Sequence, residues 1–268
     1  MSKNNIKELS IQVNLNGLSF CILNRTSNTI ELLQSLPFQQ TLNPFDVLNR
    51  LKTELSANSS FSVEFDAVNV IHQNELSSLV PRALYNDNNK ADYLKFNTKI
   101  LKTDFITQDE IAVNDSINIY IPYININNYI FETFGAFTYK HSSTVLLDTL
   151  LQKSLQNADL EVHLHVNRKM LEISVIDKGQ LQLFNVFEYH SKEDFIYYVL
   201  FVFEQLNLDV ETTVIYLSGT INRNDDLYNV LYTYIRHVEF ETLNLNYSFS
   251  ELIDTEQLHN HYLILNTF

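Results

Sequence analysis

The chain has 268 residues, 45% of them hydrophobic, enough for one large packed core or two of ordinary size and far from a disordered composition. The formal net charge is -14, which argues against a nucleic-acid or anionic-membrane surface, since those need clustered Lys and Arg. A single cysteine, Cys21, excludes an intrachain disulfide framework and fits a reducing compartment.

In chain order, Leu9, Ile11 and Val13 alternate with polar residues, Asn14 to Gly17 turns the chain, and Leu18, Phe20 and Ile22 alternate again. A second turn at Asn24 to Asn28 leads into a third run, Thr29 to Leu36. Period-two alternation with short polar turns predicts an antiparallel three-strand meander. Asn43 and Pro44 open a helix in which Phe45, Val47, Leu48, Leu51 and Leu55 share a face. A strand is expected over Ser62 to Ile71, and a short helix capped by Asn74 over Glu75 to Leu84, bent at Pro81. Residues 85–92 read as a polar loop, Tyr93 to Ile100 as a short helix and 103–116 as acidic and irregular. Ile117 to Ile121 is a strand, Ile124 to Phe134 a helix and Ala136 to His141 a strand, after which Ser142 caps a helix to about Gln156.

The pattern restarts at Asn157 to Asp159. Strands follow at Leu160 to Val166, Met170 to Ile176 and Leu181 to Tyr189, the last two joined by the hairpin signal Asp177-Lys178-Gly179. Ser191 with Asp194 forms a capping box for an apolar helix, Phe195 to Leu206. Thr213 to Leu217 is a buried strand, Asp226 to Ile235 a helix, Val238 to Leu243 a strand and Glu251 to His259 a helix. Tyr262 to Phe268 is a last strand or packed coil. A meander and then alternating helices and strands, given twice, implies mixed sheets with helices on their faces and a crevice between them. The expected lobes are residues 1–157 and 158–268.

The meanders Leu9 to Phe38 and Leu160 to Tyr189, with the stretch Val214 to Asp226, resemble the actin-like ATPase superfamily, the duplicated ribonuclease H-like α/β fold of actins, Hsp70 chaperones and sugar kinases. The closest shape is the compact bacterial branch that includes pilus-assembly and cell-division actins. More narrowly, Ser10-Ile11-Gln12-Val13 with Gly17-Leu18-Ser19-Phe20, Leu79-Val80-Pro81, and His261 to Asn266 resemble the family called domain of unknown function 3822.

The resemblance implies a phosphate-cradling first hairpin with an acidic residue, Gly and Ser or Thr. Here the stretch reads Asn14-Leu15-Asn16-Gly17-Leu18-Ser19, with Asn14 in the place of the acid. An amide cannot anchor a hydrated magnesium ion as a carboxylate does. The Asp-x-Gly of the second hairpin is replaced by His165-Val166-Asn167-Arg168, while the Ser-Gly-Gly that meets adenine is half kept as Ser218-Gly219-Thr220. Two of the three loops thus lack the carboxylates of metal-assisted phosphoryl transfer. If a nucleotide binds, the resemblance assigns it to Asn14, Asn16, Gly17, Ser19, Asn167, Ser218 and Gly219. Tight turning of hairpins and strand ends explains the glycines equally well.

Two His-x-His pairs, His163/His165 and His259/His261, supply four imidazoles of the kind that hold zinc, copper or iron. The plainer reading puts one pair exposed on a sheet and the other near the tail, so no metal is expected. Cys21, in mid-strand, reads as a small buried hydrophobe. The N-terminal MSKNNIKELS has no apolar core of signal-peptide length, and the longest apolar run, Phe195 to Phe203, falls well short of the roughly 20 residues of a spanning helix. The sequence therefore reads as a soluble cytoplasmic protein without bound ATP or magnesium, non-catalytic, whose old cleft or lobe surface binds an unidentified protein partner. The alternative is a nucleotide-binding protein or ATPase with atypical loops.

Overall fold

The computed structural model describes residues 5–95, 99–157, 159–243 and 246–268. In chain order the regular elements are β1 (Lys7–Asn14), β2 (Gly17–Asn24), β3 (Thr29–Pro37), α1 (Pro44–Ala57), β4 (Ala67–His72), β5 (Ser77–Pro81), α2 (Lys90–Leu94), β6 (Thr107–Ile111), β7 (Ser116–Tyr120), α3 (Ile124–Phe134), β8 (Thr138–His141) and α4 (Ser142–Ser154). They continue with β9 (Leu160–Asn167), β10 (Met170–Asp177), β11 (Gln180–Glu188), α5 (Lys192–Gln205), β12 (Val214–Gly219), α6 (Asp226–Tyr234), β13 (His237–Phe240), β14 (Ser248–Phe249) and α7 (Tyr262–Leu265).

The duplication is a matter of topology as well as pattern. One sheet runs β14-β3-β2-β1-β4-β8 and another β11-β10-β9-β12-β13. In each, a meander is antiparallel (β1-β2-β3, β9-β10-β11), one later strand pairs in parallel with its first strand (β4 with β1, β12 with β9) and a second pairs in parallel with that one (β8 with β4, β13 with β12). The crossovers are helical, as parallel pairing requires. Ser248 and Phe249 return from the end of the chain to pair with Thr29 and Ile30 of the first sheet.

Alternation sends Leu9, Ile11 and Val13 to one face of β1, against α1 and α3, and Val162, Leu164 and Val166 to the matching face of β9, against α5 and α6. A third core lies on the opposite faces, where Cys21, Leu23 and Ile71 of the first sheet and Ile176 of the second meet α4 and the fully buried α7. Ser10 also points into this inner layer, its hydroxyl 2.7 Å from that of Thr267. Caps fix the helix starts: Asn43 Oδ1 accepts from the amides of Phe45 and Asp46, and Ser191 Oγ from that of Asp194.

Several expectations need correction. Glu75 to Leu84 is not a helix: β5 occupies Ser77–Pro81, because Asn74 closes a local turn, its Oδ1 accepting from the Leu76 amide while its Nδ2 donates to Ile121 O. The irregular acidic stretch contains β6, and β5, β7 and β6 form a separate three-stranded antiparallel sheet inserted between β4 and α3. The polar loop 85–92 begins α2, and the helix expected to reach Ile100 crosses residues 96–98, which lie outside the described residues. So does residue 158, at the expected boundary. His141, not Ser142, caps α4, its Nδ1 accepting from the Ser143 amide. Glu251 to His259 makes turns, and the tail is the short helix α7.

Candidate functional site

The turns β1–β2 and β9–β10 lie opposite one another, and between them is a cavity of about 460 Å³. Asn14, Asn16, Gly17, Ser19, Asn167 and Gly219 all line it. Ser218 stands just behind: its hydroxyl lies 2.9 Å from Nδ1 of His165, which does line the cavity. Gln12, Ser35, Gln73, Asn222 and Asn260 also belong to this wall, and no sequence motif marks them. Gln73 directly follows β4 and reaches the site because β4 runs parallel to β1 in register, Val13 beside His72.

The position expected to hold an acid belongs to an amide network. Asn14 Oδ1 accepts from the Asn16 amide at 2.6 Å, and Asn14 Nδ2 donates to Gln73 Oε1 at 3.0 Å. Gln12 Nε2 donates to that same Gln73 oxygen at 2.8 Å. The side-chain oxygens of Asn14 and Gln73 are taken up by protein donors, whereas Asn222 Oδ1 and Asn260 Oδ1 on the same wall have no hydrogen-bond partner among the described residues; among those residues no carboxylate lines the cavity. Magnesium does not fit the Asn14 corner of this wall, where no carboxylate stands and the oxygens of Asn14 and Gln73 are already engaged.

Gly17 and Gly219 have structural reasons of their own. A Cβ at Gly17 would lie 2.9 Å from Leu36 O, where the hairpin presses on β3. Gly219 sits at φ +84°, and a Cβ there would overlap the Val166 carbonyl oxygen. That carbonyl accepts from the Thr220 amide at 2.7 Å, which fixes the end of β12 against β9.

Arg168, at the tip of β9–β10, spans the site's mouth. Its guanidinium donates to the carbonyls of Phe38 and Gln39 at 2.8 and 3.1 Å, and Asn16 Nδ2 donates back to Arg168 O at 3.4 Å. The second hairpin is thereby tied to the chain leaving β3.

The histidines part company. His163 and His165 do share a face of β9, but both are buried rather than exposed, because each finds a polar partner far along the chain. His163 Nδ1 is 2.5 Å from Glu241 Oε1 and its Nε2 3.5 Å from Glu161 Oε2, with Lys153 Nζ 2.7 Å from the other Glu241 oxygen. Burial works against the imidazolium, yet the two carboxylates together hold His163 above its usual pKa. His163, with Ser154 and Asn157, draws Glu161 down to about 2. His165 lies deep in the fold, and burial pushes it down to about 4, so it is neutral at pH 7. His259 contacts the Phe240 ring, centroids 4.3 Å apart, and lies 2.9 Å from Ile221 O, while His261 Nδ1 is 3.4 Å from Ser35 Oγ. Among the described residues, no group of three or more His, Cys, Asp or Glu converges in a way that would hold a metal ion. Cys21 is buried and free, and burial raises its thiol pKa, which keeps it protonated and unreactive.

A second hollow, of about 670 Å³, adjoins the first on the far side of the two turns. Its walls include β5, β11, Tyr123 and the buried Glu172 of β10. Val186, Glu172, His165 and Ser218 face one another across β11, β10, β9 and β12, a row that runs from this hollow to the first.

A solved protein of actin-like ATPase fold and unknown function from Bacteroides thetaiotaomicron is similar to this chain at 22% identity, with a TM-score of 0.78, covering 90% of this chain and 92% of that one. A PilM-PilN type IV pilus biogenesis complex is similar at 11% identity and a TM-score of 0.65, covering 98% and 97%. No curated protein matches the sequence. The duplicated sheets are those of the actin-like ATPase fold, and none of the helices described is long and apolar enough to cross a membrane. The model of a family described as proteins of unknown function, DUF3822, matches residues 1–238, and the chain belongs to that family.

Proposed function

We propose that this protein is a non-catalytic, cytoplasmic member of the actin-like fold that acts by binding a protein partner. Its two lobes, residues 1–157 and 158–268, are bridged by the returning strand β14 and by α7. The observation that carries the reading is the cleft wall: a cavity lies between the two turns, but Asn14 and Gln12 both donate to the Gln73 side-chain oxygen where metal-assisted chemistry needs carboxylates. The similarity to a chain whose structure is of a PilM-PilN complex supports a partner-binding use of this fold. Fold alone does not carry function across, so the cleft chemistry is the stronger ground.

The second reading is nucleotide binding without hydrolysis, favoured by the 460 Å³ that remain between Asn14, Asn16, Gly17, Ser19, Asn167 and Gly219. A thermal-shift titration with ATP, with and without magnesium, separates the two. A ligand present at 100 times its Kd stabilises the native state by about 2.7 kcal/mol. The partner-binding reading expects no rise in Tm with either, and a saturable rise overturns it as the primary role.

A further inference from the structure

The larger hollow lies between two sheet edges. β11 ends the five-stranded sheet and β5 ends the three-stranded one, and Ser77, Ser78 and Leu79 of β5 face the same space as Phe184 to Val186 of β11. An edge strand offers unpaired backbone groups that another extended chain can complete. On β11 the outward amide is identifiable: Val186 N–H is satisfied by the Asn185 side chain, 2.9 Å away, instead of a strand. Such a local bond is one that an incoming carbonyl can replace.

The charge of the hollow is a second, independent observation. Glu75, Glu172 and Glu188 line it, against Arg168 and Lys169. Arg168 is already committed to the carbonyls of Phe38 and Gln39. Glu172 is only 4% exposed, and among the described residues its one side-chain hydrogen bond is a long one, 3.5 Å from Ser143 Oγ. A carboxyl group buried this deeply is costly unless paired. Glu172 is cross-strand neighbour to Val186, so a chain pairing with β11 would pass one strand away from it.

We propose that this hollow takes an extended segment of a protein partner, added as a strand to the free edge of β11 at Val186, with a lysine or arginine side chain directed to Glu172. The proposal rests on the partner-binding reading and names where and by what chemistry the partner is held. Burial raises the Glu172 pKa and so favours the neutral carboxyl, and the incoming cation would hold it ionised.

The test uses the full chain and fluorescent heptapeptides of alternating valine and threonine whose central residue is lysine, glutamine or glutamate, followed by anisotropy at pH 7.5. The lysine peptide is expected to bind at least tenfold more tightly than the other two. Glu172→Gln should bring it to the glutamine level. Val186→Pro removes only an outward amide, a change edge strands tolerate, and should weaken all three at least tenfold. Should that variant fail to fold, Glu172→Gln decides the matter alone. No peptide binding, equal binding of the three, or indifference to both substitutions overturns the proposal. Co-purification from native cells then separates it from the broader reading. A partner held equally by wild type and Val186→Pro overturns the groove and leaves partner binding standing. No partner on the wild type, together with nucleotide stabilisation, overturns both.

Discussion

Arg168 donates to the carbonyl of Phe38 at 2.8 Å, so the tip of the second meander is fastened to the end of the first. With its second bond to Gln39 O, the guanidinium uses a fork that lysine lacks. Arg168 is exposed, so water competes for it and the contribution is modest, about 1 kcal/mol. Arg168→Ala should lower the urea midpoint by that amount, and Arg168→Lys should recover little of it. Full recovery by lysine would mean that charge, and not the paired donors, holds the hairpins together.

Gly219 remains from a motif that otherwise departs from the pattern of active members, and its retention has a local cause. A Cβ at φ +84° would be strained and would collide with the Val166 carbonyl, which is itself engaged by Thr220. Gly219→Ala should therefore destabilise by about 2 kcal/mol or more, read by thermal melting without any ligand. A neutral outcome would return the glycine to a ligand-binding explanation.

His163 stands between Glu241 and Glu161, and removing one member of a buried ion pair typically costs 3–5 kcal/mol. His163→Gln should lose about that much at pH 6. Because the folded pKa of His163 is raised, its stabilisation is fully present below the unfolded value near 6.5 and is lost as pH rises through the folded one. Glu161 and Glu241 are lowered, so their contribution is present above about 4.5 and is lost as pH falls, down to about 2 for Glu161. The wild type should thus draw most from this cluster between about pH 4.5 and 6.5. In His163→Gln the alkaline decline should flatten in a pH series of chemical denaturations.

Elements whose register is local were legible in the sequence. The meanders declared themselves by alternation, and α1 and α3 by helical spacing, because one face of each is buried and the other is not. β5 was misread because Asn74 closes a turn before a strand as readily as it caps a helix. β6 was hidden by its acids. Asp109 lies inside the fold, accepting from His141 N, Thr144 Oγ1 and the Tyr120 hydroxyl, so a charged residue occupies an inward position. α7 is buried on every side and shows neither period. In the cleft, the sequence exposed the missing acids at once. What replaced them depends on Gln73 meeting Asn14 across 59 residues, and on His165 meeting Ser218 across 53, pairings no local pattern records.

Glu172 gives the sharpest pH signature. Burial lifts its pKa from 4.5 to about 8, and Ser143 opposes this only weakly. A carboxyl group with a raised folded pKa binds its proton more tightly when folded. Its penalty is therefore absent below about pH 4.5, grows by about 1.4 kcal/mol per pH unit between the unfolded and folded values, and levels off above about 8. Glutamine keeps the shape and cannot ionise. Glu172→Gln should match the wild type near pH 4.5 and be the more stable protein by pH 8, with the gap widening steadily between. Urea unfolding at pH 4.5, 6, 7 and 8 checks this against the His163 effect, which begins only above 6.5. A constant difference across the series would mean that Glu172 is already ionised in the native state, paired with a cation that the fold itself supplies.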